Sequence, residues 1–291
     1  MNVVPDIARA RLSLDGLSLG DSFGELFFSR SSEARSFADL PEEAWRWTDD
    51  THMALSIVEV LERFGAIDQD ALAQAFARRF AEEPYRGYAG GAMVLLRQIC
   101  SGADWRTAAP ALFRAGSYGN GAAMRAAPIG GCFWRDPVRA ASEAQRSAVV
   151  THAHPEGQAG AMAVAAAAAI AARAAPPTGR EFLRAVLPHV PEGLTRDGIE
   201  RAIELRGDQL PDAIERLGTG TRVSAQDTVP FCLWSAAYHL HDFEEAMWWT
   251  VRGQGDCDTT CAIVGGIVAM SAVQLPAAWL ERRERLRFEA G

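Results

Sequence analysis

The chain has 291 residues, 48% hydrophobic and 23% charged, with 29 Lys and Arg against 37 Asp and Glu for a net charge of −8. That composition excludes a disordered chain, a coiled coil and a fibrous repeat, and the length is enough to bury a large core. The acidic balance argues against general nucleic-acid binding, which needs a basic surface to displace counterions, but not against a small anionic ligand held through a metal.

The N-terminal segment MNVVPDIARARLSLDG carries acidic residues and no long apolar core, so it is not expected to be a secretory signal. A polar cluster follows, Gly20-Asp21-Ser22-Phe23-Gly24-Glu25. A second one, Thr48-Asp49-Asp50-Thr51, opens an amphipathic stretch in which Ala54, Ile57, Val58, Leu61 and Phe64 recur at helical spacing opposite Glu59, Glu62 and Arg63. Asp70–Phe80 repeats the pattern with Leu72, Phe76 and Phe80, and Asp68 or Asp70 suits the N-cap.

Farther along lies the glycine-rich Gly119-Asn120-Gly121-Ala122-Ala123-Met124-Arg125, with Pro128 and Gly130 behind it, then Thr151-His152-Ala153-His154-Pro155. Ala159–Ala175 is strong helix former throughout and must stop at Pro176-Pro177. The uncharged alanine-rich run Gly157–Ala172 is too short and too weakly apolar for a membrane span and reads as a buried helix. Glu181–Leu187, Asp197–Leu205, Phe231–His239 and Phe243–Thr250 read as shorter helices. Gly255-Asp256-Cys257-Asp258-Thr259-Thr260 leads into Asp258–Val273, whose Gly265, Gly266 and Ala269 allow a close helix neighbour. No sustained strand alternation, internal repeat or long linker interrupts this pattern, so one all-α domain over residues 1–291 is expected. The five cysteines, 100, 132, 232, 257 and 261, are odd in number and lack a CxxC pair, which favours reduced thiols and a cytoplasmic protein.

The acidic clusters admit two readings. Thr and Asp are ordinary helix caps that satisfy orphan N–H groups and suit the positive end of the helix dipole. They are also hard oxygen ligands for Mg²⁺ or Mn²⁺. If the backbone at Asp256–Asp258 is extended, those two carboxylates point the same way and Cys257 turns aside. Four carboxylates gathered without cations would repel one another, which suits two divalent ions. The glycine-rich segment is neither a Walker loop nor GxGxxG. Its two readings are a tight turn and a helix N-terminus that meets a phosphate, with Arg125 as a charge partner. His152 and His154, two apart, would not share a helix face and do not suggest a zinc site.

Taken in order from about Leu14 to Met270, GDSFG, WTDDT, GNGAAMRAAPIG, THAHPEGQAGA and GDCDTTCAIVGGIVA resemble the motifs of the ADP-ribosylglycohydrolase family. The resemblance implies an all-helical fold with a central cleft for two Mg²⁺ or Mn²⁺ ions. It implies metal ligands at Thr48, Asp49 and Asp50 on one side and Asp256, Asp258 and Thr259 on the other. It places Gly119, Asn120, Gly121, Met124 and Arg125 along the ADP-ribose site, His152 near ribose and phosphates, and Asp21 in support. The implied reaction is hydrolysis of the bond between ADP-ribose and its acceptor, with Asp256, Asp258 and Asp50 as catalytic candidates and an ADP-ribosylated protein or other acceptor as partner.

Two positions depart from the family pattern. Many members carry Glu seven residues after the first Asp, where this chain has Phe28, with Glu25 and Glu33 at other offsets. Cys257 stands where Thr is usual. The missing Glu leans the acceptor toward arginine. Another di-metal hydrolase of phosphodiesterase type and a non-catalytic ADP-ribose binder are the alternatives.

Overall fold

Glycines 16, 20 and 24 recur every four residues, so on a helix they share one face. They do so in α1 (Ile7–Glu25), whose N-cap Asp6 accepts from Arg9 N–H. The face they make is bare backbone. A Cβ at Gly20 would lie 2.1 Å from Cys261 O, one at Gly24 2.2 Å from Cys257 O, and one at Gly16 2.5 Å from Gly265 O. Position 16 meets 265, 20 meets 261 and 24 meets 257, so the partner helix (Cys257–Val268) runs antiparallel to α1. The end of α1 therefore meets that helix at its start.

The computed structural model describes residues 4–28 and 34–288. It is 66% helical, about twice the usual fraction. Among the described residues there is no strand, only two isolated bridges, Trp45–Arg283 and Gly119–Ser224. After α1 come α2 (Asp49–Phe64), α3 (Gln69–Glu82), α4 (Gly90–Cys100) and α5 (Trp105–Ala111). Then follow α6 (Ala127–Cys132), α7 (Pro137–Val149), α8 (Pro155–Ala171), α9 (Gly179–Val186) and α10 (Leu194–Glu204). The last are α11 (Leu210–Leu217), α12 (Ala225–Tyr238), α13 (Phe243–Val251), α14 (Cys257–Val268) and α15 (Ala277–Arg282).

The amphipathic stretch becomes α2, ended by Gly65 in the left-handed region at φ 68°. Ala54, Ile57, Val58 and Leu61 are buried, but Phe64 is 44% exposed because the helix leaves the core in its last turn. Asp68, not Asp70, caps α3; the Asp70 carboxylate accepts from Trp105 Nε1 at 2.9 Å instead. The alanine-rich helix α8 starts at Pro155 rather than Ala159 and closes before Pro176-Pro177. Proline fits the first helical position, where no N–H partner is required. α8 is apolar all round and buried along almost its whole length. A Cβ at Gly130 of α6 would lie 2.2 Å from its Ala165 O, so neighbours pack on it by backbone contact. No described helix is long and apolar enough to cross a membrane, and the five cysteines form no disulfide.

An alanine at Gly20 would drive its Cβ into the α14 backbone, whereas one at Gly90 meets open space. Gly20→Ala should therefore destabilise the protein by at least about 1–3 kcal/mol, while Gly90→Ala should be neutral or slightly stabilising. Urea-unfolding midpoints of the two variants, measured beside the parent, check this.

Candidate active site

Asp21 sits in the last turns of α1 with no exposed surface. Its carboxylate accepts four hydrogen-bond donors from the start of α2. Thr48 N–H donates at 2.9 Å and Thr48 Oγ1 at 2.9 Å, and Thr51 N–H donates at 3.1 Å and Thr51 Oγ1 at 2.5 Å. Burial raises the Asp21 carboxyl to about 6, against the lowering effect of those bonds. With its oxygens engaged, Asp21 fastens α1 to α2. It sets the direction in which the next residues face.

Those residues are Asp49 and Asp50, in the first turn of α2 behind the N-cap Thr48. Across from them stand Asp256, the N-cap residue of α14, and Asp258 in its first turn. All four, with Thr259, line one cavity of about 570 Å³. The extended backbone expected at Asp256–Asp258 is absent, since α14 starts at Cys257. The helix start still brings both carboxylates to the cavity, while Cys257 faces a different hollow. Asn120 Nδ2 donates to Asp256 Oδ2 at 2.7 Å and to Thr228 Oγ1 at 3.1 Å, which fixes that carboxylate. Burial first, then Asp258, Asp21 and Asp49, push the Asp50 carboxyl well above the usual range. Burial, then Asp21, raise Asp49 to about 7. Burial, then Asp256, raise Asp258 strongly.

Among the described residues no group of three or more His, Cys, Asp or Glu side chains is arranged to hold a metal ion. The donors nonetheless fit hard cations that keep part of their water. They are carboxylates and hydroxyls, and Asp50 Oδ1 is buried with no partner. Mg²⁺ characteristically takes one or two carboxylates and completes its shell with water.

The other wall is the glycine-rich segment. It forms one 3-10 turn, Asn120–Ala122, and α6 begins only at Ala127. Of the two readings of this segment, the tight turn is the one formed, and its Asn120 N–H pairs with Val223 O at 3.3 Å. Arg125, read as a charge partner, lines the cavity. It is fully buried against the Phe76 ring, and its guanidinium donates to Gly121 O, Ser147 O and Thr151 Oγ1. Thr151 Oγ1 in turn lies 2.7 Å from His152 Nδ1. Burial, then Arg125, lower the imidazole to about 3, so it is neutral at physiological pH. His152 and His154 lie outside any helix; His154 is the N-cap of α8, accepting from Glu156 N–H.

A family model described as ADP-ribosylglycohydrolase matches residues 4–290. The chain belongs to the ADP-ribosylglycohydrolase family. It is 30% identical to an uncharacterized protein of Archaeoglobus fulgidus over 91% of this chain and 88% of that one. It is 29% identical to ADP-ribosylhydrolase ARH3 of Xenopus tropicalis, over 94% and 90% of the two chains. It is 27% identical to human ADP-ribosylhydrolase ARH3, over 96% and 90%. A solved structure titled ADP-ribosylglycohydrolase-related protein complex superposes with a TM-score of 0.64 at 22% identity, covering 95% and 94%, which supports the fold.

The same cavity is lined by the apolar side chains of Leu95, Leu96, Leu112 and Phe113 and by Tyr118. None of these was singled out in the sequence. Phe113 is 64% exposed with φ 51°, a conformation rare for a bulky residue. Tyr118 is held by an edge contact with His154 at 5.5 Å between ring centres. Gly87, at φ 97°, lets its backbone approach the Asp49 carboxylate. Its neighbour Arg86 lies 3.7 Å over the Trp47 ring and forks to Glu284 at 2.7 and 2.8 Å. The C-terminal segment thus braces the approach to Thr48. Neither Glu25 nor Phe28 lines the cleft, and Glu33 lies outside the described residues.

The raised carboxyls set a pH dependence for protein stripped of divalent cations. Their folded values, about 6 for Asp21 and about 7 for Asp49, exceed the ordinary carboxyl value. The folded state then binds protons more tightly than the unfolded one. Stability from these groups is fully present below about pH 4 and is lost as pH rises through 6 to 7. Thermal unfolding in chelator should show Tm falling across that window, and saturating Mg²⁺ should remove the fall. A flat profile in chelator would mean that the carboxylates are not crowded.

Proposed function

We propose that this ADP-ribosylglycohydrolase cleaves the bond between C1″ of ADP-ribose and its acceptor in a divalent-metal-dependent reaction, with arginine as the first acceptor to test. The observation that carries this reading is the pairing of two acidic helix starts across one cavity that Leu95, Leu96, Phe113 and Tyr118 also line. The apolar lining with Phe113 and Tyr118 suits a purine base, and the acidic helix starts suit the hydroxyls of the distal ribose. The names of the ARH3 relatives, as ADP-ribosylhydrolases, support the class of bond.

Thr48, Asp49 and Asp50 would hold one side of a pair of Mg²⁺ or Mn²⁺ ions, and Asp256, Asp258 and Thr259 the other. When bound, such ions supply Lewis acidity, orienting ribose hydroxyls and lowering the pKa of a water. The protein's own groups do the rest. Asp256 or Asp258 takes the proton from the attacking water, as a carboxylate usually does in glycoside hydrolysis through an oxocarbenium-like centre. Asp256 is already oriented for this by Asn120. Asp50 faces Asp258 across the cleft and balances the developing positive charge at C1″. His152, neutral and tethered through Thr151, offers a hydrogen bond beside Gly119 and Gly121.

The acceptor follows from the leaving group. An arginine-linked sugar carries its positive charge on the guanidinium and departs as a neutral guanidine. It does not need the carboxylic acid that Phe28 replaces. An oxygen-linked acceptor departs as an alkoxide and needs a proton donor.

The decisive assay incubates the protein and Mg²⁺ with an ADP-ribosylated arginine peptide, in parallel with an oxygen-linked one, and measures free ADP-ribose. Release is expected from the first and abolished by chelator. No release from either would overturn the reading. Asp258→Asn and Asp50→Asn should each cut the rate by roughly a hundredfold or more. The double variant should be little worse than either, because the ligands act as one unit. If these carboxylates were helix caps alone, Asn would replace them with almost no loss.

A further inference from the structure

The chain contains no lysine, so its permanent side-chain cations are arginines. Two of them line the cleft, Arg125 and Arg222. Arg125 is buried, with its Nη donors committed to Gly121 O, Ser147 O and Thr151 Oγ1. Arg222 is exposed, and among the described residues no carboxylate or carbonyl pairs with its guanidinium. It stands at the wall of a cavity that holds four carboxylates.

The loop that presents it is built, not loose. Gly220 N–H donates to Asp227 O at 2.9 Å, and Arg222 N–H to Asp227 Oδ2 at 2.8 Å. Val223 N–H donates to Gly220 O at 2.7 Å, and Val223 O accepts from Asn120 N–H at 3.3 Å. Gly220 sits so close to Asp256 that a Cβ there would lie 2.5 Å from the Asp256 Cβ. Val223 is held at φ 51°, an outlier for a β-branched residue that persists only where the surroundings impose it. These ties set Arg222 on a loop that meets the Gly119–Gly121 turn through Val223 and Asp256 through Gly220.

We propose that Arg222 is the specificity-determining residue that pairs with the diphosphate of the ligand. The inference rests on the ADP-ribose reading above. A ligand with its base on the apolar lining and its distal ribose at the acidic helix starts would pass its diphosphate along Gly119–Gly121. Four carboxylates oppose the arrival of a diphosphate there, and Arg222 is the cation free to offset them. Arginine suits the task, because its planar fork can bond two phosphate oxygens at once.

The test measures binding of ADP-ribose and of adenosine by calorimetry in Mg²⁺, at low and high salt, for the parent protein, Arg222→Ala and Arg222→Lys. Arg222→Ala should weaken ADP-ribose by about 10- to 100-fold and flatten its salt dependence. Adenosine, which lacks phosphate, should bind equally to all three proteins. Arg222→Lys should recover part of the loss, since it restores the charge without the fork. Equal ADP-ribose affinity in parent and Arg222→Ala would overturn the assignment of Arg222 alone, as would a matching loss of adenosine, which would point to a disturbed loop. Failure of the parent protein to bind ADP-ribose would overturn the underlying function as well.

Discussion

The backbone contact between α1 and α14 is the constraint on which the cleft depends. Two acidic segments about two hundred residues apart in the chain can face each other only if something fixes the relative position of the helices that carry them. Gly16, Gly20 and Gly24 remove every side chain from one stripe of α1, and α14 answers with the backbone of Cys257, Cys261 and Gly265. Helices in contact at backbone distance cannot slide by a fraction of a turn without collision. The Asp21 carboxylate, one residue past Gly20, then ties the start of α2 to the same helix by bonds from Thr48 and Thr51. α1 therefore serves as the rule against which both acidic helix starts are aligned.

That alignment has an electrostatic cost. Asp21, Asp49, Asp50, Asp256 and Asp258 are raised first by burial, and neighbouring carboxylates add to the rise at Asp49, Asp50 and Asp258. Arg125 lowers Asp49 only as a minor influence, and it is held away by its carbonyl partners. A core designed for stability alone would use apolar groups here, since buried charges are repaid only by close partners. The fold keeps the carboxylates and supports them instead with hydroxyls, the Asn120 amide and two positive helix ends. Partial protonation makes such an arrangement tolerable without cations, and the proposed divalent cations would make it favourable.

Much of this was legible in the sequence, for reasons that differ by element. α2, α3, α8 and α13 were visible because an apolar stripe or an unbroken run of helix formers needs no partner to be recognised. The acidic clusters were visible because adjacent carboxylates at helix starts are rare outside caps and metal sites. α1 was not, although its glycine spacing was present. Glycine disfavours helix when judged locally, and only the contact with α14 reverses that preference. The same cause hid α6, in which Gly130 and Gly131 meet other backbones. That Arg125 is bound to Gly121 O and Ser147 O was not legible, because sequence shows a charge but not the carbonyls that surround it. Phe113, Tyr118 and Arg222 were missed because residues presented by loops lack any period.

The residues that line the cleft sit on two kinds of support, and under the proposed reaction that difference would follow their tasks. Every carboxylate of the acidic helix starts is anchored to a long helix or to Asn120, so its position varies little. A bond-breaking step needs such precision, since small displacements of reacting groups are costly. The apolar lining is carried by α4, Leu112, Phe113 and the segment 117–119, with Phe113 and Tyr118 about half or more exposed. Stacking on a flat ring tolerates lateral shifts that a reacting atom does not. The strained backbone at Phe113, like that at Val223, is confined to the rim, where it presents side chains to a ligand without disturbing the helix packing beneath. On the proposed reading, chemistry would sit on the scaffold and recognition on its edges, so sequence change at the rim should alter what is bound before it alters what is done to it.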